Sequence, residues 1–179
     1  RRSEPVSAAA SEALSSNWLT RGPRTQELER DFAAAFGSPH AVAVSSGSAG
    51  LHLACLAAGV GPGDEVIVPA LSFVADAHAP HWCGGRAVFA DISSERLPLL
   101  DAEAVEPLLG ERTRAVLVAH MYGYAQELTE LRSLCDARGI ALIEDCCEAT
   151  GATFADGAPT GTVGASSVFS FFAIAGAAP

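Results

Sequence analysis

Two acids in succession, Glu144 and Asp145, close a short apolar run that begins at Ile140. Arg138-Gly139 just before it is a helix-stop signal, so Ile140–Ile143 reads as a strand buried on both faces. Open α/β sheets place their ligand sites at the carboxyl ends of strands. A carboxylate there is poorly solvated, so Asp145 needs a cation or hydrogen-bond donors. A nearby arginine would serve, and so would the protonated ring nitrogen of a pyridine cofactor. The stretch Leu142–Ala149 leaves both open.

Other stretches carry weaker signals. Ser45-Ser46-Gly47-Ser48 falls between a predicted strand and a predicted helix, so its amides sit at a helix N-terminus, where phosphate can bind. An ordinary cap by Ser46 or Ser48 explains the same residues. The dinucleotide fingerprint G-x-G-x-x-G has no match. The hydrolase elbow G-x-S-x-G fails because Ser46 stands where its first glycine should be. Phe73 opens a helix after the second strand, where a lone aromatic usually packs in the core. His120 and Tyr122 follow the fourth strand and face the same crevice as Asp145, with packing as their default role. His52, His78 and His81 have no convergent carboxylate spacing and read as structural.

The elements that position these residues alternate along the chain. Residues 1–25 read as an arm or short helix, broken by Gly22-Pro23. A helix follows, with Thr25 as its cap, Leu28, Phe32, Ala35 and Phe36 on one face, and Gly37 as its stop. Strands are predicted at Ala41–Val44, Glu65–Val68, Ala87–Ala90, Ala115–Val118 and Ile140–Ile143. Helices fall after Ser48, over Phe73–Trp82, from a cap at Asp101 through Leu109, and over Glu127–Arg138. Past Ala149 a glycine-punctuated β-loop leads to a sixth strand within Ser166–Phe172. This alternation predicts an α/β, three-layer αβα domain with a mostly parallel sheet.

Composition narrows the function. The 179 residues are 49% hydrophobic and 18% charged, which suits one globular domain with a sizeable core. A net charge of -10 argues against a nucleic-acid partner. No apolar run reaches membrane-helix length, and no apolar stretch behind Arg1-Arg2 suggests a signal peptide. Five cysteines without metal-ligand spacing suit a reducing, cytoplasmic compartment, and vicinal Cys146-Cys147 reads as core filling. All 11 basic residues are arginine, and lysine is absent.

In order, Trp18–Pro23, Ser46–His52, Gly63–Pro69, Ser72–Ala75, Val88–Ile92, His120–Gly123, Glu144-Asp145 and Phe169–Phe172 resemble the motifs of fold-type I pyridoxal-phosphate enzymes. The set is most similar to the DegT/DnrJ/EryC1/StrS group of sugar aminotransferases. The resemblance implies that Gly47 and Ser48 hold the cofactor phosphate through their amides, helped by Ser170. It implies that Phe73 stacks on the pyridine ring and that Asp145 pairs with the ring nitrogen. Glu148 falls near the ring hydroxyl, where members often carry Gln or His. Asp76 replaces a commoner threonine, and the sequence offers no account of it.

The largest departure is at Ala175, where the family carries its Schiff-base lysine, five residues after Ser170. Alanine can neither form the Schiff base nor move a proton, and no lysine elsewhere can substitute. The resemblance covers only the N-terminal part of a family member. The chain thus reads as an arm, residues 1–25, and an incomplete cofactor-binding large domain, residues 26–179, with the small C-terminal domain absent. The family acts on nucleotide-linked keto sugars with an amino-acid donor, as a homodimer. For this chain the resemblance implies an inactive truncated or frameshifted copy that holds pyridoxal 5'-phosphate non-covalently at best. The alternatives are a non-catalytic cofactor-binding or assembly module, or a half completed by another chain.

Overall fold

The structure is a computed structural model that describes residues 6–16, 18, 20–93 and 99–172. Residues 1–43 and 44–179 form two separate compact units.

In the first unit, helix α1 spans Val6–Ser15 and α2 spans Pro23–Ala35. The cap of α2 is Gly22, with Pro23 in the first turn, rather than the expected Thr25, which lies inside the helix. Proline suits that position because its missing N–H would have no intrahelical partner there. The Trp18 indole N–H donates to the Arg21 carbonyl (2.9 Å), and its ring lies 2.4 Å from where a Cβ on Gly22 would sit. Only glycine fits under that ring. The expected strand at 41–44 is absent. The Ala43 N–H donates instead to Glu29 Oε1 (3.0 Å), and Val42 is 69% exposed.

The second unit is built on five parallel strands: β1 Glu65–Pro69, β2 Arg86–Ala90, β3 Thr113–Ala119, β4 Ala141–Asp145 and β5 Ser166–Val168. Their order is β2-β1-β3-β4-β5. β1 is buried along its whole length and β3 nearly so, which explains their unbroken apolar runs.

Side-chain alternation divides the core in two. Val66, Val68, Ala115, Leu117, Ile143 and Val168 pack against Leu51, Ala54 and Cys55 of α3 (Gly47–Ala57) and Ala75 and Ala79 of α4 (Val74–Trp82). Ile67, Val116, Val118 and Leu142 face the other way. They meet Val105 of α5 (Ala102–Val105) and Leu131 and Cys135 of α6 (Thr129–Arg138). The result is the three-layer αβα arrangement.

Two predicted elements are shorter than expected. The helix capped by Asp101 leaves α geometry at Val105 and continues as a 3-10 turn to Leu108, because Pro107 has no N–H to give. The sixth predicted strand is β5, and it stops at Val168. Its partner β4 ends opposite it at Asp145, so Ser170–Phe172 have no ladder to join.

Strand order reverses between β1 and β3, the topological switch point where such sheets bind ligands. The N-terminus of α3 and the carboxyl ends of β3, β4 and β5 converge at that crevice.

Candidate functional site

Helix α3 begins with Ser46, whose side chain accepts from the Ala49 N–H (3.1 Å). Capping therefore falls to Ser46, and the hydroxyl of Ser48 is not needed for it. The amides of Gly47 and Ser48 precede the helical ladder and find no acceptor among the described residues. The aligned peptide dipoles of α3 make this end positive. A Cβ on Gly47 would lie 2.8 Å from Cys147 Sγ, 3.5 Å from Ser170 Cβ and 3.7 Å from Ser170 Oγ. Ser170 thus stands beside the open amides, and any side chain at 47 would fill the space between them. The Ser170 Oγ accepts from the Phe172 N–H (3.2 Å), which leaves its own proton free to point elsewhere.

Asp145 ends β4 and is only 6% exposed. Its Oδ1 accepts from the Cys147 N–H (2.8 Å). No arginine pairs with it among the described residues, so the simpler of its two predicted partners is absent. Instead it meets a second acid, Asp76, from the first turn of α4. Phe73 immediately precedes α4 and is 60% exposed, with its ring at the crevice.

Glu148 lies after β4, and its Oε2 accepts from the Tyr122 N–H (2.8 Å). That bond holds Tyr122 at φ 57, the one non-glycine residue in the left-handed region among those described. Strain of this kind persists only where the surroundings enforce it, and here Glu148 enforces it.

These groups line one cavity of about 290 Å³, near the lower end of the range for small-molecule pockets. Gly47, Ser48, Phe73, Asp145, Glu148 and Ser170 all border it. Sequence reasoning did not find Cys147, which sets the glycine requirement at 47, nor the partner of Asp76. Position 175 lies outside the described residues, as do Arg1–Pro5, Asn17 and Leu19.

His120 is resolved toward structure. Its Nδ1 accepts from the Gln126 N–H (3.0 Å), so its Nε2 carries the proton toward Glu144 Oε2 (2.9 Å). Glu144 also accepts from the amides of Gly161 (2.9 Å), Val163 (2.8 Å) and Gly164 (2.6 Å). Burial alone would raise the Glu144 pKa. The bonds from His120, Gly164 and Gly161 outweigh it and hold the carboxyl below its ordinary range. His120, Glu144 and Cys146 lie close enough to ligate a metal ion, but both ring nitrogens and both carboxylate oxygens are already bonded. Burial keeps the Cys146 thiol protonated, which also speaks against metal binding. This cluster anchors the loop 161–164.

A three-layer α/β domain with open helix-terminal amides and a buried carboxylate at one cavity defines a class of site whose chemistry suits an anionic group at one end and a cationic N–H at the other. Residues 2–176 match the DegT/DnrJ/EryC1/StrS aminotransferase family, and the chain belongs to it. It is 42% identical over 162 residues to the GDP-perosamine synthase of Vibrio cholerae, a match covering 90% of this chain and 44% of that protein. Among solved structures it is similar to S. venezuelae DesV in complex with a ketimine intermediate. That match has 38% identity and a TM-score of 0.87, covering 93% of this chain and 44% of that one. The PLP-form of the putative sugar aminotransferase Spr1654 from Streptococcus pneumoniae gives 29% identity and a TM-score of 0.85, covering 93% and 46%. The chain spans less than half the length of these relatives. No helix among the described residues is long and apolar enough to cross a membrane.

Proposed function

We propose that this chain holds pyridoxal 5'-phosphate non-covalently in the crevice between α3 and β4, as the cofactor-binding portion of a sugar aminotransferase. The observation that carries the reading is the cradle at Gly47. Two open amides, a serine hydroxyl and a space that only glycine leaves empty face a buried, arginine-free carboxylate across one cavity. Gly47, Ser48 and Ser170 would hold the phosphate, Phe73 would cover the ring and Asp145 would accept the ring N–H. When bound there, the cofactor supplies an electron sink for the carbanion formed at the substrate carbon.

The chain's own residues bind, orient and exclude water. Asp145 holds a negative charge where a pyridinium proton belongs. Glu148, fixed by the Tyr122 amide, borders the same cavity beside the ring's expected place. No side chain here can attach the cofactor covalently, since the 179 residues contain no lysine. We therefore assign the chain binding without amino transfer. Residues 1–25 are assigned to an arm and 26–179 to the cofactor-binding domain. By family, the proposed whole protein is a homodimer that uses a nucleotide-linked keto sugar and an amino-acid donor. The five free thiols suit a cytoplasmic setting.

The test is absorbance titration of the purified chain with pyridoxal phosphate, then borohydride reduction and peptide mapping. Saturable binding that dialysis reverses is expected, with no transaminase turnover and no reduced adduct at an internal residue. Absence of saturable binding, or an adduct at an internal residue, would overturn the reading. An adduct at the Arg1 α-amine is ordinary amine chemistry and is scored separately.

A further inference from the structure

Asp76 sits in the first turn of α4, 1% exposed, and it is the acid that sequence reasoning could not place. Its Oδ2 accepts from the Ser72 hydroxyl, while its Oδ1 is fully buried and has no donor among the described residues. Its carboxyl interacts with that of Asp145. An ionised Asp76 would leave a charged oxygen unpaired in the interior beside a second carboxylate, an arrangement that is strongly unfavourable without a compensating cation or donor.

We propose that Asp76 is a positioning residue, which keeps its proton at neutral pH and donates it to Asp145. The pair then carries one negative charge, on Asp145, with that carboxylate held by two donors: the Cys147 amide and the Asp76 hydroxyl. The two donors leave acceptor capacity on Asp145, which borders the cavity, for a cationic N–H. The part that concerns cofactor affinity rests on the pyridoxal-phosphate reading, but the shared proton does not.

Burial, and then the charge of Asp145, push the Asp76 carboxyl up to about 9, against the pull of Ser72. The other titratable groups coupled to it are the thiols of Cys55 on α3 and Cys147 after β4, and both are themselves raised. No cation among the described residues acts on it. In the unfolded chain Asp76 ionises near its ordinary 3.8. Folding therefore takes up a proton between about 4 and about 9, and stability falls as pH rises through that window.

The first arm of the test is carbon-13 NMR of aspartate carboxyls in the unliganded chain. One carboxyl titrating well above pH 7 is expected, absent in Asp76→Asn. If no aspartate titrates above pH 7, or if the high titration persists in that variant, the proposal is overturned. The second arm is the melt against pH. Asp76→Asn should melt higher than the parent at pH 8 and no higher at pH 4, and equal gains at both would contradict a shared proton. The third arm uses pyridoxal phosphate as probe. Asp76→Asn keeps a donor and should bind within about twofold of the parent, whereas Asp76→Ala should lose roughly five- to tenfold. Equal losses in both variants would contradict the donor role. If no form binds the probe but the first two arms succeed, the cofactor reading fails and the proton-sharing pair stands.

Discussion

Glu144 and Asp145 are neighbours on β4 and project to opposite faces of the sheet, where they meet opposite treatment. Glu144, fully buried on the α6 side, accepts from four donors, His120 and three amides of the 161–164 loop. Asp145, on the α4 side, receives one amide and a second acid. The first carboxylate is saturated and ties a loop to the sheet. The second is deliberately short of donors and faces a cavity. Adjacent residues of like charge thus divide into structure and site according to how many hydrogen bonds the fold supplies.

The largest expected effect lies on the saturated side. Glu144→Ala strands the buried His120 N–H and three partly buried loop amides and should cost about 3–5 kcal/mol of stability, since each donor left without its acceptor costs about 1–3 kcal/mol. Denaturant melts would check it, and a loss below about 1 kcal/mol would erase the contrast. The two faces should also oppose each other in pH dependence. Glu144 is held below its ordinary 4.5, so its contribution is present above that value and is lost as pH falls through it. Asp76, beside Asp145, has the reverse slope. A melt series of Glu144→Gln and Asp76→Asn from pH 3 to 9 separates them, and slopes of the same sign would break the comparison.

On the open side, Asp145→Asn removes a charge-assisted acceptor and should weaken pyridoxal phosphate binding by about 1.5–3 kcal/mol. Stability at neutral pH should hardly fall, because few groups depend on this side chain. A melt as impaired as that of Glu144→Ala would show that Asp145 too is a structural anchor. Gly47→Ala places its Cβ against Cys147 Sγ, an overpacking cost of about 1–3 kcal/mol. Cys147→Ala should recover the stability but not the phosphate affinity if the alanine methyl fills the cradle. The smallest effect is expected for Ser170→Ala, about 0.5–1.5 kcal/mol in affinity and none in the melt.

Much of this contrast was legible in the chain. Unbroken apolar runs announced strands buried on both faces, and both acids were expected at the carboxyl end of one strand; that they part to opposite sides is seen in the structure. Gly47, Ser48, Phe73, Asp145, Glu148 and Ser170 were all expected at one crevice, and the same cavity takes them in. What failed depended on partners distant in sequence. Ala41–Val44 has strand composition, but its amide at Ala43 goes to Glu29. Ser166–Phe172 looked like one strand until its neighbour ended at Asp145. The Gly22 cap depends on the Trp18 ring, not on capping chemistry. Asp76 could be placed on the first turn of its helix from Phe73 alone. Its proton, however, depends on burial and on Asp145, and neither is written near it in the sequence.

The most direct test of the central claim is a crystal structure of the chain soaked with pyridoxal phosphate. The account predicts the phosphate at the amides of Gly47 and Ser48 with the Ser170 hydroxyl, and the ring nitrogen facing Asp145, with no covalent bond to any internal side chain. Phosphate bound instead in the polar depression at the opposite end of the sheet, beside Arg114 and Arg138, with the crevice empty, would contradict it.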